Sequence, residues 1–524
     1  MSLLALNCCM MMAAIAAPGD AVWEQAGRNG EMNRKALLAC KRYVDGWLEH
    51  ADPETGLIPR NLSKDFYWNA KDAAADNYPF MVLTTYYTNR TLFEGRMKEI
   101  LETEQRLCNR LDRLPDDLQL DTGTFRTPEY RIEDLIFGAA EYAKDGLTPV
   151  VELLGPSPWA DRMRGLLEDI WKHAGIDTEA GLLPATSHEV CGDLMQSLAR
   201  TYWMTANETY REWAFRLADY FLLHHSPVDV DRLRLDDHGC EVIGGLAEVY
   251  CIAAHKDPQR RDMWRPALHT VLDRILEIAR DDHGLLISAV NPRTGEWLTD
   301  DRTDNWGYTY NAFLSVAAVD PACERYVDAV AFVLKNLPAN KDYPWEGDKA
   351  DGIADSLEGG LNLINRLPVP EAIEWADYMA ERLLAKQRDT GVIVGWHGDG
   401  NFARTALMFA LWKSAGAYVV PWRSDLRVGA VLDGDRMYFV VTSDWPWTGV
   451  LHFDRPRHVE FLGMPKDYAR LNQFPDWFTV SQASIVRSET GEQYETARLR
   501  EGLPISVHPD KPFRITLKKA KDHP

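Results

Sequence analysis

Apolar residues recur with the period of an α-helix from about residue 33 to residue 417. Two kinds of predicted helix alternate along this stretch. One kind carries its charges on one face, and the other is richer in Ala, Gly and apolar residues, as expected of helices that other helices surround. The pattern therefore predicts about seven outer–inner helix pairs. The outer helices are predicted at 35–50, 92–111, 159–173, 208–224, 263–280, 322–337 and 371–387, and the inner ones at 73–88, 131–154, 194–206, 242–255, 308–319, 353–365 and 403–415.

A short glycine phrase follows five of the predicted outer helices. Its first copy reads Thr55-Gly56-Leu57-Ile58-Pro59, and the further copies contain Gly123, Gly181, Gly284 and Gly391. Repetition at a regular spacing indicates one supersecondary unit used several times, here a helical hairpin. The loops around Asp237-His238-Gly239 and Glu346-Gly347-Asp348 stand where two further copies are expected. All these loops leave the same end of their helices, so we expect them to gather on one face.

The pattern changes after Tyr418. Two strand-like runs, 428–432 and 436–441, flank an Asp433-Gly434 pair that is typical of a β-hairpin turn. Further strands are predicted at 449–453, 477–480, 504–507 and 513–517. The chain is therefore divided into a leader at 1–20, a helical domain at 21–420 and a C-terminal β-sandwich-like domain at 421–524.

The N-terminal segment is an apolar run that ends in the small residues Ala16-Ala17 before Pro18, as a secretory signal does. The basic residues that usually begin such a signal are missing. We nevertheless predict export to the periplasm or the medium. The net charge of −21 argues against nucleic acid and anionic membranes as partners. Beyond the leader, the sequence has no apolar run long enough to predict a membrane span. The sequence leaves the oligomeric state open.

Motifs for cofactor or metal chemistry are missing from the sequence. The chain has eight cysteines without CxxC spacing, which argues against a thiolate metal cluster and a disulfide framework. No phosphate-binding glycine loop, HExxH or GxSxG occurs, and the acidic run near Asp304 lacks the pattern of a calcium loop. We predict no cofactor and no metal.

Repeated helical hairpins with long polar loops, followed by a β module, resemble the (α/α) toroid enzymes that act on carbohydrates. The likeness is carried by residues 33–417 and by loop phrases such as Trp68-Asn69-Ala70-Lys71-Asp72 and Asp304-Asn305-Trp306-Gly307-Tyr308. The resemblance is to the six-hairpin glycosidase superfamily and to toroid polysaccharide lyases, and no single family matches. It implies a mainly α fold, an (α/α) toroid of six to seven hairpins with a C-terminal antiparallel β domain. The helix count favours seven.

Three loops supply the groups that we assign to catalysis. The longest loop, 281–311, holds Asp304 and Tyr308, and long loops in compact domains are usually functional. Asp237 and His238 stand together before an inner helix, where carboxylates can hold a histidine charged or orient it as a base. Glu189 lies in a third predicted loop and is not needed to cap the helix after it. A structural network that fixes these loops is the alternative interpretation.

A second group of loop residues is assigned to substrate binding. Tryptophan rings can stack on sugars, and an arginine can pair with a substrate carboxylate. Helix capping is the alternative role for Asp76 and Glu358. The group comprises Arg60, Asn61, Trp68, Asp76, Trp306, Glu358, Trp396, His397 and Arg404.

Glycoside hydrolysis, which needs one protonated and one ionised carboxyl group, is the leading functional hypothesis. Asp304 or Glu189 would be the general acid and Asp237 the general base, acting on a polysaccharide or oligosaccharide that could contain uronic acid. A polysaccharide lyase with Tyr308 as base, assisted by His238 or His397, is the second hypothesis. A glycan-binding protein without catalysis is the third. In each case the predicted partner is a carbohydrate.

Overall fold

A computed structural model describes residues 19–62, 66–320, 322–393, 400–480, 483–488 and 493–519. Its fourteen long helical segments alternate between an outer and an inner position. The outer helices are α1 (Asp20–Glu49), α3 (Arg90–Leu92, Phe93–Met97 and Lys98–Leu107), α5 (Pro158–Lys172), α7 (Glu208–Asp219 and Tyr220–His224), α9 (Pro258–Ile278), α11 (Glu324–Asn336) and α13 (Pro370–Leu384). The inner helices are α2 (Ala70–Asn77 and Tyr78–Thr88), α4 (Ile132–Glu141, Tyr142–Leu147 and Thr148–Leu154), α6 (His188–Thr205), α8 (Glu241–Lys256), α10 (Trp306–Val319), α12 (Ala350–Arg366) and α14 (Asn401–Lys413).

The inner helices form a closed ring. Each even-numbered helix packs against the next, and α14 returns to pack against α2 and α1. The ring has seven members, so the predicted (α/α) toroid is confirmed and the count of seven hairpins is right. The inner helices are almost wholly buried because both their neighbours and the outer helices cover them, which explains their Ala-rich composition.

The glycine phrase marks a backbone turn that few other residues adopt. All five of its glycines have positive φ, from 63° at Gly123 to 99° at Gly181. At Gly391 a Cβ atom would also lie 2.0 Å from the carbonyl oxygen of Arg42, so the turn packs directly on α1. The two loops without a copy contain non-glycine residues at positive φ instead, Asp237 at 47° and Glu346 at 48°.

We call the toroid of helices the barrel. Short strands lie at the end of the barrel that carries the outer-to-inner loops. They are β1 (Tyr67–Trp68), β2 (Asn109–Leu111), β3 (Leu114–Pro115), β4 (Leu118–Gln119), β5 (Thr124–Phe125), β6 (Ile176–Thr178), β7 (Gly181–Leu183), β8 (Leu233–Arg234) and β9 (Ala289–Val290). β1, β4 and β5 form one antiparallel three-stranded sheet. Each strand belongs to a loop between an outer and an inner helix.

The C-terminal strands form two antiparallel sheets. One has the order β10 (Tyr418–Val420), β13 (Trp447–His452), β16 (Leu503–Val507), and the other has the order β11 (Arg427–Asp433), β12 (Arg436–Thr442), β17 (Phe513–Lys519), β14 (Ala483–Ser488), β15 (Gln493–Tyr494). The predicted hairpin is confirmed, but its two turn residues are Gly434 and Asp435, since Asp433 already pairs with Arg436. Helix α1 crosses β11 so closely that a Cβ on Gly429 would lie 1.9 Å from the carbonyl oxygen of Ala26.

Residues 461–480 run from the barrel to the β module. Those up to Asp476 pack among the C-terminal ends of the inner helices, at the end opposite to the loops. The predicted strand at 477–480 is wrong, because Thr479 forms only an isolated bridge with Asp454, while Phe478 and Val480 pack in the core of the β module. Trp203 donates from Nε1 to the Tyr468 hydroxyl at 2.9 Å, and Arg200 donates to the carbonyl oxygen of Leu471 at 2.6 Å. We name residues 461–480 the plug segment. It joins the barrel and the β module across the predicted boundary at 420/421, and that division stays a prediction.

Two further predictions concern the membrane and the leader. No helix within the described ranges is both long and apolar enough to cross a membrane. Residues 1–18 lie outside the described residues, so the predicted leader and the predicted export stay predictions.

Candidate functional site

A cavity of about 190 Å³ opens where the inner helices begin, on the face that carries the loops. Its wall is strongly polar, with seven carboxylates and three cationic side chains. This surplus of negative charge is concentrated inside the ring. The lining residues are Asp72, Asp76, Lys144, Asp145, Asp237, His238, Glu241, Asn305, Tyr308, Asp351, Asp355, Asn401, Arg404 and Asn472.

Two π-helical segments supply one side of the cavity. Asp72 and Asp76 lie in the segment Ala70–Asn77 of α2, and Asp145 lies in Tyr142–Leu147 of α4. A π-helical turn inserts a residue into the α-helical pattern and is frequent at functional sites. The segments touch each other at Gly146, where a Cβ would lie 2.9 Å from the carbonyl oxygen of Ala74. The two helices therefore bring their carboxylates to one wall.

Asp145 is held as an ionised carboxylate. Lys144 Nζ donates to its Oδ1 at 2.7 Å, and Asn472 Nδ2 donates to the same oxygen at 2.6 Å. Burial by itself would raise the pKa of Asp145, but Lys144 and His238 bring it below the usual value. Since both donors bind Oδ1, no described residue is hydrogen-bonded to Oδ2.

Asp76 has the opposite environment. No described residue donates a hydrogen bond to it or forms an ion pair with it. Burial raises the pKa of Asp76 well above its usual value, and the charges of Asp145, Asp72 and Asp351 add to this effect, with only Arg404 opposing it. Asp76 therefore holds a proton under conditions in which Asp145 has lost its own.

Tyr308 and Arg404 form a second buried group opposite these helices. The Tyr308 hydroxyl donates to Glu358 Oε2 at 2.6 Å and lies 3.0 Å from Asp355 Oδ1. Arg404 Nη2 contacts both carboxylates at 2.7 Å and donates to the Tyr308 oxygen at 2.9 Å. Burial raises the pKa of Tyr308 well above its usual value, and Asp355 and Glu358 add to this against Arg404. The hydroxyl is therefore protonated. Arg404 Nη2 is engaged by these groups, whereas the buried Arg404 Nε has no hydrogen-bond partner among the described residues.

His238 stands at the mouth of the cavity among carboxylates. Its Nε2 lies 3.7 Å from Glu141 Oε1 and 3.5 Å from Asp237 Oδ1. Burial would lower its pKa, but Glu141, Asp145 and Asp237 together raise it well above the usual value. His238 is therefore a cationic group at neutral pH and is poorly suited to act as a base.

The plug segment completes the floor of the cavity. Asn472, at φ 51°, is 1% exposed and reaches Asp145 from the far end of the barrel. The carbonyl oxygen of the preceding residue, Leu471, accepts a hydrogen bond from Arg200. Arg470 forms an ion pair with Glu152 at 3.0 Å. The C-terminal part of the chain thus contributes directly to the wall of the site.

The predicted catalytic residues occupy three different positions. Asp237, His238 and Tyr308 line the cavity, although the Asp237 side chain is 63% exposed and pairs with Arg234. Asp304 lies beside the cavity, where burial and then Asp355 and Glu346 raise its pKa well above the usual value. Glu189 lies in the first turn of α6 and not in a loop, which corrects that prediction. The catalytic roles of all five residues stay predictions.

The predicted binding residues separate into groups. Asp76 and Arg404 line the cavity, and Glu358 lies directly behind Tyr308. Arg60 pairs with the cavity residue Asp72, and Asn61 is buried beside it in sequence.

Two of the three predicted sugar platforms are core residues. Trp68 is 2% exposed, and Trp306 is 0% exposed with its Nε1 donating to the Ser356 hydroxyl at 2.9 Å. Their rings are not available to a ligand, so this expectation is corrected. Trp396 and His397 lie outside the described residues.

Several cavity residues were missed in the sequence. Lys144 and Asp145 lie inside a predicted helix, and only their charge within an otherwise apolar inner helix could have drawn attention to them. Asn472 lies in a stretch assigned to the β domain and carries no sequence signal. Asp351 and Asn401 stand in predicted loops and Asp355 lies in the first turn of the predicted helix 353–365, but none of the three is among the predicted site residues.

Two side-chain groups have the composition of a metal site. Glu141, Glu189 and His238 place one ligand atom each within 4.8 Å of the others, and so do His269, Asp320 and Cys323. In the second group Arg265 binds both oxygens of Asp320, at 3.1 Å from Oδ1, which opposes a cation. In the first group a cation would have to displace the proton that the surrounding carboxylates hold on His238.

No protein-family model and no curated protein match this chain. Among solved structures, the α-1,6-mannanase GH76A of Salegentibacter sp. HEL1_6 is similar at 13% identity over 72% of this chain and 98% of its own, with a TM-score of 0.42. A sugar epimerase from a ruminal bacterium is similar at 13% identity over 73% and 98%, with a TM-score of 0.40. The cellobiose 2-epimerase of Bacillus thermoamylovorans B4167 is similar at 11% identity over 53% and 86%, with a TM-score of 0.37. Likeness at this level carries no argument about activity.

Proposed function

We propose that this protein is a glycoside hydrolase that holds one neutral sugar unit in the acidic cavity, with Asp76 as general acid and Asp145 as its ionised partner. The observation that carries the proposal is a contrast between two carboxyl groups on facing helices: Asp145 accepts hydrogen bonds from Lys144 and Asn472, whereas no described residue donates to Asp76. Glycoside hydrolysis needs a proton donor for the leaving oxygen and a second carboxylate to activate water or stabilise the developing positive charge.

The environment of each group suits its role. Asp76 keeps its proton because it is buried among other carboxylates and is paired with none of the described side chains. Asp145 stays ionised because Lys144 and Asn472 bind its Oδ1, while its Oδ2 remains available for water or the sugar. The proton moves from Asp76 to the glycosidic oxygen as the bond breaks. Water adds its hydroxyl to the anomeric carbon, which becomes the new reducing end, and its remaining proton passes to Asp145 and returns through solvent to Asp76.

The charge of the cavity favours a neutral sugar over a uronate. Arg404 is occupied by Asp355 and Glu358, and Arg60 is occupied by Asp72. The surplus carboxylates repel an anionic ligand at this range. This also weighs against a lyase, because the Tyr308 hydroxyl donates a hydrogen bond to Glu358 and has a raised pKa, whereas Tyr308 must be deprotonated to act as a base.

The test is a product assay on neutral oligosaccharides, aryl glycosides and uronate polysaccharides. We expect new reducing ends from a neutral glycan, and Asp145→Asn should lower turnover by roughly 10²- to 10⁴-fold. Asp161→Asn, at a 73% exposed side chain on α5, is the control and should leave turnover unchanged.

Three results would contradict the proposal. Ultraviolet absorbance of an unsaturated uronide would indicate elimination, and an isomerised sugar without new reducing ends would indicate an isomerase. Binding of glycans without any turnover would indicate a binding protein.

A further inference from the structure

We infer that a second groove on the loop face, lined by Phe66 and Phe125, binds the sugar units of an oligosaccharide that extend beyond the unit in the cavity. This inference rests on the proposed function and adds the chain length of the substrate to it. The cavity of about 190 Å³ is below the usual size of a small-molecule site, whereas the groove of about 860 Å³ lies well within that range. An oligosaccharide could not fit in the cavity alone.

The groove is built by the loops that follow α1 and α3. Its wall is the small sheet in which β1 pairs with β4 and β4 with β5, with Leu118 opposite Phe125. Both loops leave the end of the barrel at which the cavity opens. The groove and the cavity therefore share one face of the molecule.

The linings of the two spaces meet near the Arg60–Asp72 ion pair. Pro59 lines the groove, and the next residue, Arg60, binds the carboxylate of Asp72, which lines the cavity. The Arg60 amide also donates to the carbonyl oxygen of Tyr67 at 2.8 Å, which ties this ion pair to the sheet. An oligosaccharide that extends from the cavity past Asp72 would reach the groove directly.

The lining suits a carbohydrate. Phe66 is 53% exposed, and its ring offers an apolar surface of the kind that packs against the C–H face of a sugar. Gln119, Asp121 and Thr122 stand beside it and provide hydrogen-bond donors and acceptors for hydroxyl groups. A groove for an apolar peptide would lack this density of polar groups.

Chain-length dependence tests the inference. We would compare a neutral hexasaccharide with the 4-nitrophenyl glycoside of the same sugar as substrates of the full chain. Phe66→Ala should raise KM for the hexasaccharide by roughly 3- to 10-fold and leave kcat for this substrate unchanged. It should change neither KM nor kcat for the aryl glycoside. Phe66→Trp should retain the wild-type KM. The control Trp445→Ala removes a 70% exposed ring from the β module and should change neither substrate.

Binding measurements separate this inference from the proposed function. Calorimetry with the hexasaccharide on the Asp145→Asn variant should show affinity that the additional Phe66→Ala change lowers. Hydrolysis of both substrates with no effect of Phe66→Ala on KM would overturn the groove and leave the proposed function intact. Absence of turnover in the wild-type protein, together with Phe66-dependent binding, would overturn hydrolysis and retain the groove.

Discussion

The two ends of the barrel interior differ in how completely their buried charged side chains are paired. At the plugged end, three arginines and three carboxylates form a network in which each group has a partner. At the open end, seven carboxylates face three cationic groups. The plugged network consists of Arg200, Arg366, Arg470, Glu152, Glu248 and Asp467.

The pKa values follow this difference. Asp467 is buried, which would raise its pKa, yet Arg366 and Arg470 hold the pKa below the usual value. Asp76 is also in the interior, and there burial and neighbouring carboxylates raise the pKa together. Paired charges fix the position of the plug segment. An uncompensated carboxyl group such as Asp76 weakens the fold, which fits the role of proton donor that we propose for it.

The largest effect on stability should come from breaking the plugged network. Glu152→Gln leaves both Arg470 and Arg200 short of a carboxylate, and removing one partner of a buried pair typically costs about 3–5 kcal/mol. Denaturant unfolding would measure the loss. The control Glu94→Gln breaks a surface pair with Lys98 and should cost about 0–1 kcal/mol. Equal costs for the two variants would show that the plugged end is not the more strongly coupled region.

The link between the two ends is Asn472, which we regard as a positioning residue for Asp145. Asn472→Ala removes one of two donors to Oδ1, so we expect kcat to fall by about tenfold with little change in KM. The acidic limb of the pH profile should move to higher pH, since Asp145 loses a bond that favours its ionised form. Asn472→Ser retains a short donor and should recover part of kcat. A fall in thermal stability without a shift of the acidic limb would indicate a purely structural role.

The smallest effect concerns the charges around Asp76. Its raised pKa means that the acid form is needed for turnover and is lost as pH rises through that value. Asp351→Asn removes one of the charges that raise it, so the alkaline limb of kcat/KM should move to lower pH, by up to about one unit. The control Asp348→Asn affects a carboxylate that binds Arg382 and Lys386 outside the cavity and should leave this limb in place. A shift to higher pH for Asp351→Asn would contradict the assignment.

Much of the fold could be predicted because helix burial leaves a period in the sequence. Inner helices α10 and α12 were located within three residues of each end, and the hairpin could be located because Asp-Gly pairs favour turns, although its turn residues are Gly434 and Asp435. The plug segment could not be predicted in this way. Its position depends on contacts with distant inner helices, such as that of Leu471 with Arg200, and not on local periodicity.

The candidate site divides in the same manner. Tyr308 and Arg404 could be found because they stand where a polar loop enters an inner helix. Asp145 could not be found in this way, because its side chain reaches the cavity only through a π-helical turn inside a predicted helix. Trp306 shows the opposite error, since the first turn of an inner helix can face the core as well as the cavity.

A leaving-group comparison tests the central claim most directly. The claim is that Asp76 donates the proton to the departing oxygen. We would measure kcat/KM of wild type and Asp76→Asn on a neutral disaccharide and on the dinitrophenyl glycoside of the same sugar, whose leaving group needs no proton. We predict a loss of roughly 10²- to 10⁴-fold on the disaccharide and a much smaller loss on the activated glycoside. Equal losses on both substrates, or no loss on the disaccharide, would contradict the account.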